Sequence, residues 1–416
     1  MAAGCGGLGR LIRVNLLFVT SRFPYPPTTG DRLRALQQLK WLSRRHRVTL
    51  VSLAKGTPTP TAMAALKAYC AELKLVPFRW REGLGHLARR LFSAIPLQVA
   101  LYESRELRAT LEALLAGGHY DLLHMQLARS TLNVPAQVTL PRVLDLIDAL
   151  SVNMAGRYRH DRGPARWLAG LEAGRLRRYE SRLCQQWDRL TLVSAQDREA
   201  IGPRANLCLN PNGVDPEDFP YVADGRARDE ILFTGNLGYF ANVEAVVWFH
   251  REVLPLIRAR RPGVKWRLVG ARPHRSLLSL ARNDPDIEVR ADVERMHPYL
   301  ARASVAVAPI RTGSGQSLKV LEAMAAGAPL VATPFAVREL AVEPGRHLLL
   351  AGEPGAFADQ VLSLLEDPLR AQTLAASART LVESQYTWRQ AVEQLERIYQ
   401  DLLPCHRSEP CGGHRP

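Results

Sequence analysis

The chain has little that would brace it covalently and nothing that reads as a membrane span. Its six cysteines (Cys5, Cys70, Cys184, Cys208, Cys405 and Cys411) include no Cys-x-x-Cys pair and no histidine partner at zinc-ligand spacing. Neither a disulfide framework nor a metal site is indicated. Scattered thiols of this kind suit a reducing cytoplasm. No apolar run reaches the ~20 residues that a spanning helix needs. The most apolar segment near the start, Leu11 to Val19, is broken by Arg13 and Asn15 and runs directly into strand-like sequence. It reads as a short leader plus a first strand, not a cleaved signal. Acidic residues are in deficit, 40 against 55 Lys and Arg, for a net charge of +15. The arginines are spread along the chain, without interleaved aromatics or a DNA-reading motif, which argues against nucleic acid as a partner. Two readings of the charge stay open: a bland property of an arginine-rich composition, or attraction to an anionic membrane surface, worth about 1 kcal/mol per well-placed cation.

What is present is an α/β rhythm. With 416 residues and 47% apolar content the chain can fill two or three cores. Apolar strand-like runs (Val14 to Thr20, Val48 to Leu53, Leu122 to Met125, Val143 to Ile147, Leu190 to Ser194) alternate with amphipathic helices, such as the one striped by Leu33, Leu36, Leu39 and Leu42. Residues 149–187 read as helical and rich in Arg and Tyr, with Glu180 on a solvated, salt-bridged face. Dense turn chemistry at Asn210-Pro211-Asn212-Gly213-Val214-Asp215 interrupts the pattern. The rhythm then restarts with Ile231 to Thr234, a helix from Val243 to Ile257, Trp266 to Val269, Ile287 to Val289, Val305 to Ala308 and Leu330 to Ala332. The expected organisation is a flexible leader (1–12), two doubly wound domains (13–205 and 206–385), a closing helix (386–403) and a disordered tail (404–416). Two such domains place a ligand cleft at the carboxyl ends of both sheets. The loops to watch are Ser21 to Asp31, His124 to Ser130, Thr234 to Ala241 and Pro309 to Leu318.

The last of these loops carries the most chemistry. The strand Val305 to Ala308 runs into Gly313-Ser314-Gly315, and a helix follows with Lys319 and Glu322 on one face. Glycines let backbone N–H groups approach a ligand, and a helix start favours an anion. Arg311 and Lys319 flank the loop with positive charge, and Glu322 suits sugar hydroxyls. The pattern fits a phosphate-bearing group beside a polyol, as in a nucleotide-sugar. Gly235 and Asn236 stand in the matching loop after Ile231 to Thr234, Gly30 opens a helix toward the cleft, and Leu318 starts the helix below Gly315. His124, near a strand's carboxyl end, is read either as structural or as a sugar-hydroxyl contact.

Taken in order, these features resemble retaining glycosyltransferases of the two-domain GT-B architecture, in the family 4 group. The likeness rests on Phe18 to Gly30, Val193-Ser194-Ala195-Gln196-Asp197-Arg198, Pro211-Asn212-Gly213-Val214-Asp215, Phe233-Thr234-Gly235-Asn236, the stretch from Pro309 through Pro329, and Tyr386-Thr387-Trp388. The opening Phe-Pro-Tyr-Pro-Pro-x-x-Gly-Asp and the Gly-Ser-Gly-x-x-x-Lys loop look most like sugar transferases of exosortase-type exopolysaccharide systems. The resemblance implies two Rossmann-like domains, with the acceptor meeting the first, the donor bound by the second, and the last helix packing back onto the first. It implies donor contacts from Gly30, Gly235, Asn236, Gly313, Ser314, Gly315, Leu318 and Glu322. Arg311, Lys319 and His124 are the candidate catalytic groups. It also implies metal-independent transfer to a glycan or lipid-linked acceptor, in the cytoplasm or at the inner membrane face. Two departures stand out. The glutamate usual eight positions before Glu322 is here Ser314, or Thr312 if the loop carries a two-residue insertion, and residues 234–244 lack the usual Arg and Lys, which leaves Arg311 and Lys319 as the expected cations for a diphosphate. A nucleotide-sugar epimerase of the same fold and a non-catalytic nucleotide-sugar binder remain as alternatives.

Overall fold

Short aliphatic segments, each followed by a helix, assemble into two parallel sheets in the computed structural model, which describes residues 13–160 and 163–403. The expected leader (1–12) and tail (404–416) lie outside the described residues. The first sheet contains β1 (Asn15–Thr20), β2 (Arg47–Ala54), β3 (Glu72–Pro77), β4 (Leu122–Gln126), β5 (Arg142–Ile147), β6 (Arg189–Leu192) and β7 (Leu207–Leu209), in the order β3-β2-β1-β4-β5-β6-β7. The second contains β8 (Glu230–Thr234), β9 (Lys265–Gly270), β10 (Ile287–Ala291), β11 (Val305–Ala308), β12 (Leu330–Ala332) and β13 (Leu349–Leu350), in the order β10-β9-β8-β11-β12-β13. Strands β4, β8, β11 and β12 are buried throughout, so they read as continuous apolar runs with no alternation. In each sheet the order reverses beside the first strand, between β1 and β4 and between β8 and β11. The loops singled out in the sequence leave the carboxyl ends of these four strands, where such sheets open a crevice.

Three strands escaped the sequence pattern. β3 is an edge strand bearing Glu72 and Lys74, while β7 and β13 are only three and two residues long. β7 pairs with β6, so the first sheet runs past residue 205 to Leu209. The helix expected from Val243 to Ile257 is longer and broken: Phe240–Trp248, a π turn at Phe249–Val253, then Leu254–Arg260. Pro255 cannot donate to the preceding turn and its ring crowds it, which widens the helix there. Glu180 is a correction. It is fully buried in the helix Pro164–Gln186 and accepts from Ser151 N (3.2 Å) and Ser151 Oγ (2.5 Å). Burial pushes its carboxyl up to about 7 against those hydrogen bonds.

The chain passes between the sheets twice, and the two passages pair. Val214 N donates to Tyr386 O (2.8 Å) and Trp388 N to Val214 O (3.2 Å). Between them Gly213 has no room for a side chain, since a Cβ would sit 2.3 Å from Trp388 N. The last helix, Trp388–Gln400, then docks on the first domain as expected: Val392, Leu395 and Tyr399 enter its core, and Glu396 accepts from Arg45 (2.7 Å) beside His46 (3.1 Å).

A buried guanidinium fastens this crossing. Arg34, on the helix Gly30–Leu42, is fully buried and donates from Nε (2.6 Å) and Nη2 (3.2 Å) to Asp145 of β5. The same guanidinium reaches Asn210 Oδ1 (2.7 Å) and Asn212 Oδ1 (2.9 Å) in the crossing segment. Burial would raise the Asp145 carboxyl, but Arg34 and a hydrogen bond from Gln38 hold it below its ordinary range. Arg34→Ala strands a buried carboxylate, and breaking such a pair costs about 3–5 kcal/mol. The expected result is a large fall in the urea midpoint of the first domain, read by circular dichroism; a midpoint within experimental error of wild type would refute it.

Candidate functional site

The loop between β11 and the helix Leu318–Ala325 lies where the two domains meet. Gly313 (φ 123°) and Gly315 (φ 73°) take backbone conformations that a side chain disfavours. Gly315 is also sterically fixed, because a Cβ there would fall 2.1 Å from Asp148 Oδ1 of the first domain. Gly315 N donates to Asp197 Oδ2 (3.1 Å), and Arg338 Nη2 donates to Gly315 O (3.1 Å). On the other flank, a Cβ on Gly313 would lie 3.6 Å from the Tyr239 hydroxyl, which accepts from Asn153 Nδ2 (3.2 Å) of the first domain. Ser314 lies beside that hydroxyl, which burial pushes up to about 12. Gln316 Nε2 and Ser317 Oγ are buried with no hydrogen-bond partner, and unspent donors in a glycine loop fit one that receives a ligand.

Below the loop, Lys319 Nζ donates to Asn242 Oδ1 (2.8 Å), and Asn242 Nδ2 donates to Asn236 O (2.7 Å). A Cβ on Gly235 would stand 3.0 Å from Lys319 Cε, so the ammonium sits over the Gly235-Asn236 turn. Burial pulls Lys319 down to about 8 and pushes Glu322 up to about 6, each partly offset by the other's charge. An anion arriving at Lys319 would restore what burial has removed. Gly30 faces Leu318 from the first domain, with a Cβ at Gly30 placed 4.0 Å from Leu318 Cδ1. Gly30, Gly235, Asn236, Gly313, Ser314, Gly315, Leu318, Lys319 and Glu322 therefore converge on one place.

Two expected residues lie elsewhere. The Arg311 guanidinium is 5.0 Å above the Trp248 ring, with Nε 3.8 Å from Glu244 Oε1. It lines a cavity of about 420 Å³ with Phe335 and Glu353, apart from Lys319. His124 has no exposed surface: its ring stacks on Phe18 at 4.5 Å, and Nδ1 lies 2.8 Å from the Tyr399 hydroxyl. Burial drops it to about 4, so it is neutral and packs the last helix onto β4 in place of the substrate contact expected for it.

Asp148, Asn153, Asp197, Tyr239 and Arg338 were not picked out in the sequence as site residues. Asp148 follows β5 and Asp197 follows β6, so the carboxyl-end rule would have found both had it been applied beyond the switch-point strands. Their carboxyls face the same glycine. Burial raises Asp197 to about 7, with Asp148's charge adding to the shift; burial raises Asp148 to about 6. Nearby, Glu339 of the second domain accepts from Ser194 Oγ (2.8 Å) and Ala195 N (2.8 Å), at the start of the helix Ala195–Ile201. Lys319 is not the sole cation here: Arg338 holds the loop, and Arg272 follows β9 with its carbonyl against Gly238.

Residues 228–367 match the family described as glycosyl transferases group 1. The chain is 27% identical over 270 residues to a glycogen synthase of Mycobacterium tuberculosis, covering 61% of this chain and 62% of that protein. It is 28% identical over 225 residues to a GDP-mannose-dependent phosphatidylinositol monomannoside mannosyltransferase of Corynebacterium glutamicum, covering 49% of this chain and 58% of the relative. The chain thus spans about three fifths of the length of these curated relatives. Among solved structures, sucrose-phosphate synthase from Thermosynechococcus elongatus superposes with a TM-score of 0.66 at 18% identity, over 93% of this chain and 99% of that one. HepE of Anabaena, solved with UDP and glucose, gives 0.62 at 14%, over 94% and 100%. These likenesses show the GT-B arrangement of two Rossmann-like domains.

The Asp148–Asp197 pair makes stability depend on pH. Both carboxyls titrate above their ordinary values when folded, so the native state holds extra protons between about pH 4 and 7 and loses stability as pH rises through that window. Asp148→Asn removes one charge of the pair. The variant is expected to melt higher than wild type at pH 8 and to show a shallower fall in Tm from pH 5 to 8. Parallel Tm profiles would refute the coupling.

Proposed function

We propose that the chain transfers a sugar from a nucleotide-diphosphate sugar to a glycan or lipid-linked acceptor, retaining anomeric configuration, in exopolysaccharide or other cell-surface polysaccharide synthesis. The observation that carries this reading is the Gly313-Ser314-Gly315 loop, held between Lys319, Asn242 and Gly235 of one domain and Asp148 and Asp197 of the other. A half-buried ammonium over a glycine turn suits a diphosphate. Glu322, three residues on, suits vicinal ribose hydroxyls once ionised. The match to glycosyl transferases group 1, over residues 228–367, includes this loop, and the mannosyltransferase relative is GDP-mannose-dependent by name. The acceptor would enter from the first domain, beside Gly30.

In this reading no enzymic nucleophile attacks the sugar. The donor's C1–O bond breaks toward the diphosphate, the acceptor oxygen bonds to C1 on the same face, and the acceptor proton passes to a departing phosphate oxygen. The chain's part is positioning and charge: Lys319 and the loop's N–H groups gain most as charge builds on the leaving diphosphate. Arg311 is proposed as a second cation. It must release Trp248 and Glu244 to reach the diphosphate, so its loss should cost less than that of Lys319. Cations supplied by the protein also underlie the proposal that transfer proceeds without metal. Cytoplasmic action at the inner membrane face is proposed on the +15 charge.

Turnover of a nucleotide-sugar panel with a soluble glycan acceptor, with and without EDTA, tests this. Lys319→Ala is expected to lower kcat about 10²-fold, the usual size for one group stabilising a transition-state anion, and Arg311→Ala to lower it less. For wild type, kcat/KM for the donor should fall below about pH 6, where Glu322 gains its proton, and above about pH 8, where Lys319 loses its own. Near-wild-type turnover by Lys319→Ala, or donor consumption that yields no glycoside, would overturn the reading.

A further inference from the structure

One helix of the first domain is built inside out. In Trp80–Arg90 the face turned to the protein carries Gly83 and His86, and Arg90 pairs with Glu103 through Nε (2.8 Å) and Nη2 (3.0 Å). Gly83 is pressed against the backbone, where a Cβ would lie 2.5 Å from Leu101 O. Its exposed side carries Trp80 (59% exposed) and Leu84 (45%) among Arg81 and Arg89, and Leu91 (41%) and Phe92 (95%) follow its last turn. A surface helix in water normally has the reverse arrangement.

A second apolar face adjoins it. The first turns of the helix Pro164–Gln186 expose Trp167, Leu168 and Leu171 and bury Ala169 and Glu172. One turn beyond Leu171, Arg175 Nη2 donates to Leu91 O (2.5 Å), and Glu172 accepts from Leu97 N (2.7 Å). These bonds join the end of the first helix to the second, one turn past its exposed residues. Clustered exposed apolar side chains mark an interaction site.

The charges around the patch say what covers it. Residues 79–92 hold four arginines against one glutamate, and Arg166, Arg175, Arg177 and Arg178 continue the basic collar along the second helix. Behind the first helix a cavity of about 400 Å³ is lined by Arg89, Arg105 and Arg108, together with Glu103 and Glu112. Large apolar tips encircled by arginine match a bilayer with anionic head groups, in which tryptophan and phenylalanine enter the acyl boundary and guanidinium groups meet phosphate. We propose that Trp80, Leu84, Phe92, Trp167, Leu168 and Leu171 form the membrane-docking surface of this chain, specific for anionic phospholipid.

The surface also has a short path to the cleft. Leu101, against which Gly83 packs, precedes Tyr102, whose hydroxyl accepts from Arg22 Nε (3.4 Å), and Arg22 pairs with Asp31 (3.3 Å) next to Gly30. Docking here would set the acceptor side of the cleft close to the lipid surface. The inference deepens the functional reading and rests on it only for that consequence; vesicle binding needs neither donor nor acceptor, so the two fail separately.

The test is flotation of the full chain with phosphatidylcholine vesicles containing or lacking phosphatidylglycerol. Wild type should float with the anionic vesicles and remain unbound with the neutral ones. Phe92→Glu combined with Leu171→Glu alters only exposed side chains, and should lower vesicle affinity by about tenfold or more, since each loses an apolar group that would enter the acyl boundary and brings a negative charge to an anionic surface. Its turnover on a soluble acceptor and its melting temperature should match wild type, which separates lost docking from lost fold. Wild type that stays unbound on anionic vesicles, or a variant that floats as wild type does, overturns the proposal. So does a dimer in light scattering that the double substitution dissolves, because a second copy would then be the occupant.

Discussion

The geometry of the cleft depends on one buried ion pair. Asp145 lies on β5 three residues before Asp148, and Arg34 lies one turn into the helix that Gly30 opens. By joining them at 2.6 Å with no exposed surface, the pair fixes both first-domain walls of the site relative to each other. Its remaining donors hold Asn210 and Asn212, so the same guanidinium sets where the chain leaves for the second domain. A charge so placed works only when complete. Asp145 also accepts from Gln38 and Thr191, and every lone pair so used is one that water no longer solvates. A hydrophobic pair of equal volume would fill the space but would give the crossing segment no polar group to align on.

Across the cleft the domains meet chiefly through polar groups. Glu339 accepts from the start of the helix Ala195–Ile201, Asp197 from Gly315, Gln316 Oε1 from Asn212 N, and Asn153 donates to Tyr239. Such contacts can be exchanged for water at small net cost, unlike the apolar cores on either side. The paired crossing segments and the last helix belong to the opposite class, being buried and fastened by backbone bonds. The architecture therefore couples a firm hinge to a weakly sealed mouth. Hinged domains with a polar contact face are suited to admit a bulky substrate and close over it.

How much of this was legible follows from what local sequence encodes. Central strands buried on both faces announce themselves as apolar runs, so β1, β2, β4 to β6, β8, β9 and β11 could be read, while the two-residue β13 leaves no pattern. The glycine loop and Lys319 were legible because a strand–glycine–helix unit is local. Asp148 and Asp197 were not picked out, because a carboxylate's burial depends on packing partners far away in the chain. Glu180 failed for the same reason in reverse: its arginine neighbours in sequence face water, and Ser151 satisfies it inside. His124 shows the limit of a strand-end rule, since the last helix arrives 275 residues later to cover it with Tyr399.

Net charge was equally ambiguous until it had a location. A surplus of +15 spread evenly over the chain would describe a proteome, not a partner. The inverted helix changes the argument, because its apolar residues face outward at a cost that folding alone does not explain. Gly83 shows that the orientation is fixed by packing: rotating the helix to bury Trp80 and Leu84 would force their side chains into the space where its missing Cβ already lies 2.5 Å from Leu101 O. Arg90 and Glu103 would then lose each other as well. The backbone thus selects a glycine and an ion pair for the inside and leaves tryptophan and phenylalanine for the outside. An arrangement held by steric contact on one face and charge pairing on the same face is a built surface, and its position beside Tyr102 and Arg22 ties it to the first-domain wall of the cleft.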